Sequence, residues 1–85
     1  MNPMKRTIEI LGTGCPRCQA LADNAEAAAR QSGIDCEVVR ITDVGEILDR
    51  DVLMTPGIAI DGRVRLVGRV ASVEEIAEWL AEQTG

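Results

Sequence analysis

Residues 5–18, KRTIEILGTGCPRC, carry the pattern that decides the fold. Isoleucine and threonine dominate its first half and predict a strand from Lys5 to Leu11, and the glycine-rich residues 12–14 predict a loop. Pro16 suits the first turn of a helix, because the N–H that it lacks would have no partner there. The stretch therefore predicts a strand that passes through a loop into a helix, with two cysteines at the junction.

The next three elements follow from periodicity and charge. Small and apolar residues recur at helical spacing from Pro16 until Gly33, which predicts a long helix. They are Cys18, Leu21, Ala22, Ala25, Ala28 and Ala29. Residues 34–41 are rich in β-formers but carry charges, as is typical of an edge strand that is protected from further pairing. A capping-box pattern at the start of residues 43–50 predicts a short amphipathic helix.

The C-terminal half predicts a hairpin and a closing helix. Residues 58–60 and 64–67 flank Asp61-Gly62, a pair that two-residue turns favour because both central positions need a positive φ. Ser72 with Glu75 three residues later forms a second capping box, and an apolar stripe follows it. The predicted order is therefore βαβαββα.

This order predicts the fold class. A strand, helix and strand imply a right-handed parallel crossover, and the hairpin adds an antiparallel pair to the same sheet. We expect an α/β fold with a four-stranded mixed sheet flanked by helices, and a single domain over residues 1–85.

Composition excludes several classes of function. The net charge is −5, and no basic cluster exists beyond Lys5-Arg6, which argues against nucleic acid as a partner. No apolar stretch is long enough for a signal peptide or a membrane span, so we expect a cytoplasmic protein that does not bind membranes. The chain has an odd number of cysteines, and two of the three are only three positions apart, so a disulfide scaffold is not expected.

The two clustered cysteines indicate redox chemistry. Their spacing, with one just before a helix and one a turn inside it, brings two sulfurs within bonding reach. Cys15 sits where unpaired N–H groups and the helix dipole favour an anion, and Arg17 adds a cation, so both effects lower the thiol pKa. Because only the thiolate attacks a disulfide, we predict Cys15 as the nucleophile and Cys18 as the resolving thiol.

Metal binding is the alternative interpretation of the same pair. A structural zinc site needs four Cys or His ligands, and this chain has no histidine and only Cys36 to spare. Soft-metal (copper or zinc) modules also carry such a pair at a helix start, but their order is βαββαβ. An iron–sulfur carrier that shares a cluster across a dimer is a second alternative.

Three motifs together resemble the short glutaredoxin-like thioredoxins of prokaryotes, often called redox-active disulfide proteins. They are residues 12–18 (GTGCPRC), the Thr55-Pro56 pair before the hairpin, and Gly68 after its second strand. The similarity covers essentially the whole chain. It implies a thioredoxin-like fold and a cis peptide bond at Pro56 beside the active-site disulfide, where the substrate backbone pairs.

The resemblance and the residues together predict a thiol-disulfide oxidoreductase that takes part in electron transport. We expect Cys15 and Cys18 to be catalytic and the surrounding residues to bind substrate. The substrate-binding residues are Gly14, Arg17, Thr55, Pro56 and Gly68. The expected partners are protein disulfides and, as electron donor, a reductase or glutathione. We expect a monomer with no cofactor and no metal.

Three further residues have competing interpretations. Glu9 lies six residues before Cys15, a spacing at which thioredoxins resemble each other in having a buried carboxylate that assists the second cysteine. Strand alternation also permits a solvated residue, which we expect here because the loop length differs among these proteins. Cys36 is expected to be a small buried filler of the second strand. Trp79 is expected to be a half-buried anchor of the last helix.

Overall fold

The computed structural model describes residues 6–14 and 16–82, and its elements follow the predicted order βαβαββα. They are β1 (Arg6–Leu11), α1 (Pro16–Ser32), β2 (Cys36–Ile41), α2 (Val44–Asp49), β3 (Gly57–Ile60), β4 (Arg63–Val67) and α3 (Val73–Ala81). Lys5, the predicted start of the first strand, lies outside the described residues. The second strand begins at Cys36 rather than at residue 34, because the Ser32 hydroxyl accepts the Ile34 N–H and holds it in the turn.

The sheet is four-stranded and mixed, with the order β2-β1-β3-β4, which confirms the predicted fold class. β1 pairs with β2 in parallel and with β3 antiparallel, and β3 pairs with β4 antiparallel. β2 therefore forms one edge, as its charges predicted. The carboxyl ends of β1 and β2 meet at the same edge of the sheet, and α1 and α2 both start there.

The Asp61-Gly62 turn adopts the predicted conformation, with φ of 52° and 85°. The Asp61 carboxylate also accepts the Thr7 N–H at 3.0 Å and contacts the Arg6 guanidinium, so the turn is tied back to β1. Burial opposes the charge of Asp61, but these two donors outweigh it and hold the pKa of the carboxyl below its ordinary value.

Each face of the sheet buries its own core, because alternate residues of β1 point to opposite faces. The larger core lies under α1 and α3 and contains Ile8, Ile10, Leu21, Ala22, Ala25, Ala28, Ile58, Ile60, Ala71, Ile76 and Leu80. The smaller core lies under α2 and contains Leu11, Ile41, Ile47 and Val52. The alanines of α1 allow the helix to pack closely on the sheet.

The closing helix is fixed at its start and along its length. Ser72 and Glu75 form the predicted capping box, each side chain accepting the other's backbone N–H. Trp79 is half-buried against the larger core, as expected, and the Arg65 guanidinium lies 5.5 Å from its ring centroid. Across the described part of the chain, every helix is too short or too polar to cross a membrane.

Candidate functional site

The candidate site begins where β1 passes into α1. The Gly12 N–H donates to the Ile41 carbonyl at 3.0 Å, so the parallel pairing continues one residue past the strand and fixes the start of the loop. Gly14 and Pro16 are exposed on either side of the predicted nucleophile. Cys15 itself lies outside the described residues.

Cys18 lies in the first turn of α1 with only 5% of its surface exposed. It packs directly against Gly12, because a Cβ placed on Gly12 would lie 2.2 Å from the Cys18 Sγ. No side chain fits in that space. The sequence predicts a loop at Gly12, and the glycine-rich stretch before the cysteines is its one signal for this contact.

The Thr55–Pro56 loop closes the other side of the site. The Thr55–Pro56 peptide bond is cis, Pro56 is buried and Thr55 is exposed. The Thr55 Cβ lies 3.9 Å from the Cβ position that a side chain at Gly12 would occupy. The loop is therefore next to the contact between Gly12 and Cys18.

Gly68 connects this loop to α1. Its N–H donates to the Pro56 carbonyl at 2.8 Å, and its own carbonyl accepts a hydrogen bond from the Arg17 guanidinium at 2.8 Å. Arg17 is exposed and lies next to Cys18 in sequence. The structure thus brings together Arg17, Cys18, Thr55, Pro56 and Gly68. Gly14 lines a cavity with Cys18, so six of the seven predicted site residues lie together.

The segment after Gly68 is anchored by a paired charge. Two Arg69 nitrogens donate to the Glu75 carboxylate at 3.1 and 2.8 Å. These bonds, followed by the Ser72 N–H, lower the pKa of Glu75 from its ordinary 4.5 to about 2. The carboxylate that caps α3 therefore also holds the backbone beside Gly68.

Glu9 is engaged on the other face of the sheet. Both of its carboxylate oxygens accept hydrogen bonds from Arg50, at 3.0 and 3.1 Å, and its side chain is 18% exposed. The expectation of a solvated residue is therefore wrong. Glu9 shares its face with Leu11, which packs under α2, whereas Cys18 lies on α1 across the sheet.

Cys36 lies far from the candidate site. It pairs with Arg6 at the start of β1, whereas Gly12 follows the end of that strand, six residues away. It is half-buried against the larger core, and burial raises the pKa of its thiol. Among residues 6–14 and 16–82, no group of three or more His, Cys, Asp or Glu side chains could hold a metal ion.

The mixed four-stranded sheet in the order β2-β1-β3-β4, flanked by α1, α2 and α3, is a thioredoxin-like fold, and it places Cys18 in the first turn of α1 against the glycine loop. The family model for the thioredoxin domain matches residues 6–81. The chain is 45% identical over 74 residues to a thioredoxin of Methanothermobacter thermautotrophicus, covering 87% of this chain and 96% of that protein. It is 47% identical over 73 residues to a thioredoxin of Methanocaldococcus jannaschii, covering 86% and 84% of the two chains. The chain belongs to the thioredoxin family and is a thioredoxin-like redox protein.

Proposed function

We propose that this protein is a thiol-disulfide oxidoreductase that reduces protein disulfides through a Cys15–Cys18 dithiol/disulfide cycle. The observation that carries the proposal is the position of Cys18, which is buried in the first turn of α1 against Gly12. A shielded thiol one turn after a nucleophile suits intramolecular attack and is protected from competing reactions.

The proposed cycle has two displacement steps. The Cys15 thiolate attacks one sulfur of a substrate disulfide, forms a mixed disulfide and releases the other substrate sulfur as a thiolate. Cys18 then loses its proton and attacks Cys15, so that the Cys15–Cys18 bond forms and the second substrate sulfur leaves. The substrate gains two electrons, and a reductase or glutathione returns two electrons to the oxidised protein.

We propose that substrates dock on the surface formed by Thr55, Pro56, Gly68 and Arg17. Pro56 is buried and its carbonyl accepts the Gly68 N–H, so the Thr55–Pro56 loop is a fixed ledge on the protein surface. On this ledge the exposed Thr55 offers backbone groups to an extended substrate strand. The hydrogen bond from Arg17 to Gly68 joins this ledge to the helix that carries the cysteines. Gly14, exposed and without a side chain, leaves the approach to the site open.

The test is reduction of insulin disulfides, run once with a thioredoxin reductase and once with glutathione. Cys15→Ser should abolish turnover, and Cys18→Ser should trap substrate as a mixed disulfide, since only the resolving step is lost. Cys36→Ser is the matched control and should keep wild-type turnover, because Cys36 lies at the opposite end of β2 from the site. Trapping by Cys15→Ser would reverse the two roles.

The same preparations test the alternative functions. Stoichiometric copper or zinc binding without disulfide reduction would replace the proposal with a soft-metal module. A coloured protein with the absorption of an iron–sulfur cluster would replace it with a cluster carrier.

A further inference from the structure

A cavity of about 70 Å³ lies beside Cys18, between α1 and the end of β2. Its walls are partly apolar, through Ile10, and partly polar, through Gln19, Arg40 and Thr42, and Gly12, Gly14 and Cys18 complete them. A water molecule needs about 10–15 Å³ and two or more polar partners, so this cavity has room for water and the polar groups to hold it. Cys18 is thus shielded from bulk solvent but borders a space suited to water.

Arg40 is the cation of this cavity. Its side chain is on the same face of the sheet as Ile10, its partner in the register, and therefore on the side of α1. The Arg40 guanidinium donates to Gln19 Oε1 at 2.9 Å, and Gln19 donates in turn to Asp23 Oδ1 at 2.9 Å. The first bond ties the charge on β2 to the helix that carries Cys18, and the second, within α1, orients the Gln19 side chain.

The other charged side chains around Cys18, among the residues that the structure describes, have hydrogen-bond partners of their own. Arg17 bonds the Gly68 carbonyl, and Asp23 accepts from Gln19. From β1, Glu9 pairs with Arg50 on the opposite face, and Asp43 at the end of β2 caps α2 through the Glu46 N–H. The Thr55–Pro56 loop contributes no ionisable side chain where it meets the site. Among residues 6–14 and 16–82, Arg40 is the charged residue that lines the cavity with Cys18.

The proposed cycle requires Cys18 to become an anion. Its sulfur forms the bond to Cys15 with its own electron pair, while the bond between Cys15 and the substrate sulfur breaks. The Cys18 proton must leave before or during this attack, and burial disfavours the anion that remains. A nearby cation would stabilise the buried anion, and a path to solvent would let the proton leave.

We infer that the cavity is the route by which Cys18 releases its proton, and that Arg40 is a positioning residue whose charge stabilises the Cys18 thiolate. The inference rests on the proposed role of Cys18 as the resolving thiol. Water in the cavity accepts the proton and passes it to solvent, and the Arg40 charge faces the sulfur anion as it forms.

The first test measures Cys18 directly in a Cys15→Ser/Cys36→Ser protein, where it is the single thiol. Thiolate absorbance is followed across pH with and without Arg40→Met, which removes the charge but keeps the aliphatic stem. The thiolate fraction at neutral pH should fall about threefold to tenfold, at or below the lower end of the range for a nearby opposite charge, because the Arg40 side chain is exposed and solvent screens it. Arg40→Lys should restore it, and Gln19→Met should lower it less than Arg40→Met does.

Arg63→Met is the matched control, because Arg63 is also an exposed strand arginine but lies beside the hairpin turn. It should leave the thiolate fraction unchanged. An unchanged fraction in Arg40→Met, with a wild-type circular dichroism spectrum, overturns the inference. So does an equal fall in Arg63→Met.

The second test follows resolution of a mixed disulfide between Cys15 and a small aromatic thiol. Arg40→Met should slow resolution by the same factor at neutral pH, and the deficit should vanish at high pH, where Cys18 is fully ionised. A deficit that is independent of pH would indicate a merely structural role and overturn the inference. The thiolate measurement needs no turnover, so failure of insulin reduction by the wild type would count against the proposed function and not against the role of Arg40.

Discussion

The two faces of the sheet differ in how tightly they are covered. Under α1 and α3, eleven described residues form one continuous core, whereas the core under α2 has four. α2 buries Ile47 but leaves Val44 and Leu48 58% and 50% exposed. The candidate site lies where these faces meet at one edge of the sheet. Cys18 lies on α1, which covers the well-packed face. The Thr55–Pro56 loop follows α2, which covers the loosely packed face. The thiol is therefore held by the more tightly packed side of the molecule.

Truncation of one isoleucine on each face should show this difference most strongly. Ile8→Ala, in the larger core, should lower the free energy of unfolding by about 4 kcal/mol, and Ile47→Ala by about 2 kcal/mol, because the exposed surroundings of α2 can collapse around the deletion. Urea unfolding of the two variants measures both values. Equal losses would mean that the two faces are packed alike.

A methyl group at Gly12 should damage the site itself. Gly12→Ala places a Cβ against Cys18 Sγ, so the sulfur must move, and a displacement of about 1 Å costs on the order of 100-fold in turnover. Gly45→Ala on α2 is the matched control, since the nearest atom to the added Cβ is the Asp43 carboxylate oxygen that caps α2, at 3.1 Å, and not an atom of the candidate site. Insulin reduction should be unchanged in Gly45→Ala. Wild-type turnover in Gly12→Ala would refute the close packing of Cys18.

Removal of the N-cap side chain from α2 or α3 should lower the free energy of unfolding less than the core truncations do. Ser72→Ala removes one bond of the reciprocal capping box on α3 and should lower the free energy of unfolding by about 1 kcal/mol. Asp43→Ala removes the single cap of α2 and should cost about 0.5 kcal/mol, because this short helix can fray without exposing the larger core. Chemical denaturation of both variants checks the order. A larger loss for Asp43→Ala would reverse it.

The Glu75–Arg69 pair should produce the smallest effect, and a pH dependence reveals it. The pKa of Glu75 is lowered from 4.5 to about 2 in the folded chain, so its contribution to stability is present above pH 4.5 and is lost as the pH falls through about 2. The difference in unfolding midpoint between wild type and Glu75→Gln should therefore shrink across that range. A constant difference would show that the carboxylate is not held in its charged form.

Local signals predicted most of the fold. The glycine loop before α1, the Asp61-Gly62 turn and the Ser72 capping box each involve residues within a few positions of each other, so the chain's own stereochemistry specifies them. The start of β2 was misplaced because the Ser32 hydroxyl competes for a backbone N–H that the strand pattern assigned to the sheet. Propensity alone does not register such a side-chain bond.

Contacts between distant residues were not predictable in the same way. Glu9 meets Arg50 across 41 positions, and Arg17 meets Gly68 across 51. Alternation in β1 indicated only that Glu9 and Ile10 point to different faces. It gave no information about which helix covers each face or which cation ends there.

The order of elements, the mixed sheet and the position of a cysteine one turn inside α1 follow from periodicity, caps and turn chemistry along the chain, so they can be predicted from the sequence. The need for Gly12 to lack a side chain, the pairing of Glu9 with Arg50 and the cavity that Arg40 shares with Cys18 become visible only in the folded protein. Close approach and charge pairing depend on distances in space, and these are set only when both faces of the sheet are packed.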